Sequence, residues 1–104
     1  MSEIDVLEKT NIDLKKKLDH YKPKQYRVIF LNDDITPFEF VVQLLMNIFD
    51  YDREEAYKTT MKVHVEGKAI VGIFSYEVAL QKQHDSLKLA KMFGYPLEII
   101  IEEC

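Results

Sequence analysis

The 104-residue sequence predicts an α+β domain of two layers: a three-stranded antiparallel sheet packed by three helices, in the order β-α-α-β-α-β. Three observations lead there. Three short runs, at residues 25–31, 69–74 and 97–103, are rich in β-branched and aromatic residues, as strands are. Between them lie three longer stretches bounded by helix start and stop residues. The chain is also too short for more than one core domain, here 25–104, with residues 1–24 as a flexible N-terminal extension.

The extension carries Ile4, Leu7, Asn11, Leu14, Leu18 and Tyr21 at alternating steps of three and four, an a/d-like seam with Asn at one a-type position. It lasts under three heptads and is marginal as an isolated helix, so it is read as a tail that orders only against a partner. Pro23 separates it from the body.

The body opens with the strand at 25–31, which ends at Asn32-Asp33-Asp34. Thr36-Pro37-Phe38-Glu39 then reads as a helix start, with Thr36 as cap, Pro37 at the first helical position and Glu39 completing a capping box. This helix should run to about Phe49. Its polar residues Glu39, Gln43 and Asn47 form one narrow stripe, so the rest is buried or left for a ligand. Asp52-Arg53-Glu54-Glu55 starts a second helix, supported by the Glu54–Lys58 pair at i,i+4. It ends near His64–Glu66, with Gly67 suited to a left-handed terminal position. After the strand at 69–74, Ser75 is placed to cap a third helix over 76–93, stopped by Gly94 and Pro96. In the last strand Leu97, Ile99 and Ile101 share one face.

Composition narrows the function. The hydrophobic fraction of 47% comes in runs too short to span a bilayer, so no membrane association is expected. No apolar h-region opens the chain, and the single cysteine, Cys104, has no partner for an internal disulfide; both fit a cytoplasmic protein. The six lysines and five acids of residues 1–24 leave eight bases against thirteen acids in the body. That acidic body argues against nucleic acid and leans toward a cationic ligand.

Candidate chemistry is sparse. There is no G-x-G-x-x-G, Walker loop or H-E-x-x-H, and no nucleophile is matched to a base, so no catalytic residue and no cofactor is expected. Asn32, Asp33 and Asp34 admit three readings: a strand-breaking turn, the first choice in isolation; hard oxygen ligands for a metal, disfavoured without EF-hand spacing; or acceptors for an ammonium group. Thr60, Val63 and His64, like Phe38 and Val41, have core-facing helical spacing by default. Taken together, oxygen acceptors beside an apolar helix and a helix-end histidine suit a ligand that joins an ammonium group to a hydrophobic side chain. The N-terminal residue of a protein is such a ligand.

The segments YRVIFLNDDITPFEFVV, VHVEGKAIVGIFSYEVA and GYPLEIIIE resemble the ClpS family, the bacterial adaptors of the N-degron pathway, over about residues 25–103. The resemblance implies a non-enzymatic adaptor. It would bind proteins with N-terminal Leu, Phe, Tyr or Trp and deliver them to the N-domain of a ClpA-type AAA+ unfoldase and the ClpP protease. By position it implies that Asn32, Asp34 and His64 hold the substrate α-amino group and that Thr36 lines the entrance. Phe38, Val41, Thr60, Val63 and Leu97 would line the side-chain pocket, and Glu77 and Lys82 would dock on the unfoldase. Asp33 receives no defined role. The family commonly has Met where Phe38 stands and a larger apolar residue where Thr60 stands, which puts the preference among first residues in question. The rival reading on this fold is a module that regulates the unfoldase without N-degron recognition.

Overall fold

The structure, a computed structural model, describes residues 23–104; the apolar seam and the extension lie almost wholly outside the described residues. The elements are β1 (Gln25–Leu31), α1 (Phe38–Ile48), α2 (Arg53–Glu66), β2 (Lys68–Ser75), α3 (Tyr76–Met92) and β3 (Glu98–Glu103). β1 lies in the centre of an antiparallel sheet ordered β2-β1-β3. The expected two-layer α+β architecture is present, with bounds within a residue or so of those read from the sequence.

Alternation along the strands decides which face is covered. Val28 and Phe30 of β1, Ala69 and Val71 of β2 and Ile99 of β3 are buried with Val42, Leu44 and Leu45 of α1 in one core. On the opposite face Ile70, Ile29 and Ile100 lie in register across the three strands, the outer two partly exposed. The β1–β2 register slips by one residue at Val28/Ile29, opposite Val71. There the Val71 carbonyl accepts a hydrogen bond from the Tyr51 hydroxyl, which ties the α1–α2 connection to the sheet. Burial pushes the Tyr51 hydroxyl pKa up; the neighbouring Thr59 hydroxyl opposes that shift, and the Glu55 charge adds to it.

Helix ends follow the sequence in part. Asp52 caps α2, accepting the Glu55 amide at 2.7 Å, and Gly67 closes it at φ 90°. α3 ends in a Schellman pair, Tyr95 N–H to the Ala90 carbonyl and Gly94 N–H to the Lys91 carbonyl, with Gly94 at φ 77°. Ser75 takes the cap position of α3, but its side chain makes no capping bond.

The start of α1 corrects the expectation. Thr36 does not cap, Pro37 sits at the cap position in extended conformation (ψ 142°), and no side chain bonds the first turn. The Thr36 hydroxyl is already committed, donating to Asp33 Oδ2 at 2.7 Å. Glu39 is drawn across to Arg53, whose Nη1 and Nη2 donate at 3.0 and 3.3 Å, and it also accepts from Gln43. The Arg53 hydrogen bonds, then Gln43, hold the Glu39 carboxyl below its ordinary pKa.

Candidate functional site: a polar-mouthed apolar pocket

Three elements converge beyond the end of β1. Leu31 pairs with Lys68, the first residue of β2, and only Gly67 separates β2 from α2. The Asn32 amide donates to the Gly67 carbonyl at 2.8 Å, tying the loop after β1 to the end of α2. The loop residues Asn32–Thr36 therefore face the last turn of α2, which carries His64.

Between them is a cavity of about 290 Å³ lined by Leu31, Asn32, Asp33, Asp34, Thr36, Phe38, Val41, Thr60, Val63, His64 and Leu97. Its mouth and its floor differ chemically. Asn32, Asp34 and His64 are exposed, whereas Val41, Thr60, Val63 and Leu97 are buried. Thr60 is only 3% exposed, and its hydroxyl donates to the Ala56 carbonyl at 2.7 Å, one turn back on its own helix. With that bond made, the threonine needs no polar partner from a ligand, and the wall remains effectively apolar.

Asp33 has a separate task. Its Oδ1 accepts the Ile35 and Thr36 amides at 2.9 and 2.6 Å, and its Oδ2 accepts the Thr36 hydroxyl. Partial burial pushes its pKa up, but the hydrogen bonds from Thr36 and then Ile35 outweigh that and hold the carboxyl below its ordinary value. Asp34 points no bond at any described residue's side chain or backbone. Its oxygens are available at the mouth while Asp33 holds the loop in shape. Among the described residues no three His, Cys, Asp or Glu side chains converge as metal ligands would.

All ten loop and pocket residues named from the sequence thus border one cavity. Glu77 and Lys82 do not; they border a shallow depression on α3 with Asn47, Ile48, Val78, Gln81 and Asp85. Lys82 also serves the fold, since its Nζ donates to the Ile48 carbonyl at 2.7 Å and lies over the Phe49 and Phe74 rings. Two residues escaped the sequence reading. Leu31 lines the cavity as the last residue of β1, adjacent to Asn32. Tyr57 packs on Phe38 and had no signal, because that contact joins two helices.

Comparison with known proteins gives the family. Residues 21–100 match the family of ATP-dependent Clp protease adaptor proteins ClpS. The chain belongs to the ClpS family. It is 45% identical over 82 residues to the ClpS adapter of Helicobacter hepaticus, covering 79% of this chain and 83% of that one. Over 81 residues it is 46% identical to the ClpS of Nautilia profundicola, covering 78% and 84%. Among solved structures it is similar to Agrobacterium tumefaciens ClpS2 bound to L-phenylalaninamide. That match has a TM-score of 0.78 and 34% identity, and it covers 80% of this chain and all of that one. The chain is thus an adaptor of a Clp protease by family, and none of its described helices is long and apolar enough to cross a membrane.

Proposed function

We propose that this ClpS adaptor binds the free α-amino group and bulky hydrophobic first residue of N-degron substrates, Leu, Phe, Tyr or Trp, and delivers them to a ClpA-type unfoldase in the cytoplasm. The observation that carries the reading is the division of the pocket into an acceptor-rich mouth and an apolar floor. An α-amine has a reference pKa of about 7.7–8.0, so at neutral pH it is mostly an ammonium with three donors. Asn32 and Asp34 offer oxygen acceptors, and His64 adds a ring nitrogen at the mouth. The side chain attached one carbon away reaches the floor formed by Val41, Thr60, Val63 and Leu97.

Magnitudes require both halves of that ligand. A hydrogen bond to a charged group contributes about 1.5–3 kcal/mol, and burying a Leu or Phe side chain about 1.5–3 kcal/mol. Lost translational and rotational freedom opposes binding by about 4–15 kcal/mol. A single such bond, or the buried side chain by itself, falls short of even the lower end of that cost, so the two halves act together. L-phenylalaninamide, the ligand of the similar A. tumefaciens protein, combines a free α-amine with an apolar ring in this way. Thr60, small and internally bonded, leaves room at the wall, so Tyr and Trp should be accepted at least as well as Leu.

Titration with a Phe-initiated peptide, free and N-acetylated, tests the reading. Tight binding of the free form only is expected, because acetylation removes the charge and most donors together. Equal affinity, or no binding by folded protein, overturns it. Delivery has its own test: removing residues 1–24 should preserve peptide binding and abolish degradation in a reconstituted ClpA–ClpP reaction. Undiminished degradation contradicts the role assigned to the extension.

A further inference from the structure

We propose that Tyr57 is a positioning residue for substrate selectivity, acting by holding the Phe38 ring at the rim of the pocket. The inference rests on the peptide-binding reading above and concerns a residue that lines no part of the cavity. The Phe38 and Tyr57 ring centroids lie 5.0 Å apart with the planes at 63°, an edge-to-face pair. Phe38 is the first residue of α1 and Tyr57 belongs to the second turn of α2, so the pair joins the two helices that form the pocket walls. Tyr57 is 49% exposed and outside the core cluster, and it makes no side-chain hydrogen bond to a described residue, so the ring contact is its evident employment.

Phe38 needs such a neighbour. Its ring is only partly buried and turns about two side-chain bonds. Released, it could swing toward solvent and widen the rim, or turn into the 290 Å³ cavity and occlude it. Paired with Tyr57 it does neither.

The position of Phe38 says which ligands would sense this. Phe38 lines the same cavity as Asn32 and Asp34, and the ClpS resemblance puts its position at the rim, so on the binding reading above its ring would stand beside the Cα and Cβ of a residue whose amine those two hold. Leucine and isoleucine contain the same atoms. Isoleucine branches at Cβ, against the ring, whereas leucine branches one carbon deeper, in the cavity. A fixed ring discriminates between them, and a loose ring yields to either.

The test uses the full chain and peptides identical except for a first residue of Leu, Ile or Phe, with Kd measured by fluorescence anisotropy. Wild type should prefer Leu to Ile. Tyr57→Ala should shrink that ratio about three- to tenfold, the scale of one aromatic pair, while thermal melting confirms a folded protein. Tyr57→Phe, which keeps the ring and drops the hydroxyl, should restore the wild-type ratio. Uniform weakening of all three peptides at an unchanged ratio would assign Tyr57 to stability and overturn the inference. Equal effects of the Ala and Phe variants, or a wild type indifferent to branching, overturn it too. If wild type binds the Phe peptide no better than its acetylated form, the peptide-binding reading itself fails, and this inference falls with it.

Discussion

Asp33 and Asp34 are neighbours in the chain with the same carboxylate, yet the fold employs them in opposite ways. Asp33 spends both oxygens on Ile35 and Thr36 and is partly buried. Asp34 is exposed at the pocket mouth and bonds no described residue. One shapes the loop; the other keeps its oxygens unengaged at the cavity, as the proposed ligand requires. An unspent charge beside an apolar cavity has no value to the fold, because an exposed carboxylate without a partner adds little stability. On the proposed function, its value appears when the substrate ammonium arrives.

The largest expected effect separates the two at once. Asp34→Ala should weaken binding of a free-amine Phe peptide about ten- to a hundredfold, the loss of one charge-assisted bond. Its stability should stay within about 0.5 kcal/mol of wild type, as for other surface changes. Peptide titration and thermal melting on the same sample check both. Loss of cooperative unfolding in Asp34→Ala would make the two aspartates alike and return the whole tripeptide to a turn.

Asp33→Ala should invert the pattern, with an intermediate effect. It leaves two amides and a hydroxyl without their acceptor, in the manner of a lost helix cap, which costs about 1–2 kcal/mol. For a domain of this size that lowers Tm by about 4–8 °C per kcal/mol. Peptide affinity should fall less than in Asp34→Ala, since the loss is one of loop order. A Tm unchanged from wild type would show that the loop holds its shape without Asp33.

That division was only partly legible in the sequence. The six elements were, because strand composition and the punctuation at Asp52, Gly67 and Gly94 act locally. The start of α1 was not. Thr36 and Glu39 have the spacing of a capping box, but spacing does not reveal that Asp33 competes for the Thr36 hydroxyl and Arg53 for the Glu39 carboxylate. Glu39 and Arg53 are 14 residues apart, beyond any local pattern. The pocket was legible for the same kind of reason in reverse. Thr60, Val63 and His64 read alone as core-facing; His64 joined Asn32 and Asp34 in the combined reading, family resemblance added Thr60 and Val63, and the Asn32–Gly67 bond supplies the physical reason they meet. Tyr57 was invisible because its partner lies on another helix.

The smallest expected effect is the response of the Asp33 loop to acid. Asp33 has its folded pKa held below the ordinary 3.8, so the unfolded chain binds its proton first as pH falls. The stability this contributes is complete above the unfolded pKa and is lost as pH drops through the lower folded value. Thr36→Val removes the hydroxyl donor to Oδ2 and brings the folded pKa back toward 3.8, at a cost of under about 1 kcal/mol in so open a loop. Wild type should therefore exceed the variant in stability by a constant margin near neutrality, and that margin should shrink steadily below about pH 4. Urea unfolding of both proteins between neutrality and strong acid measures it. A margin that does not change with pH would mean that the Thr36 hydroxyl acts by packing and not through the Asp33 charge.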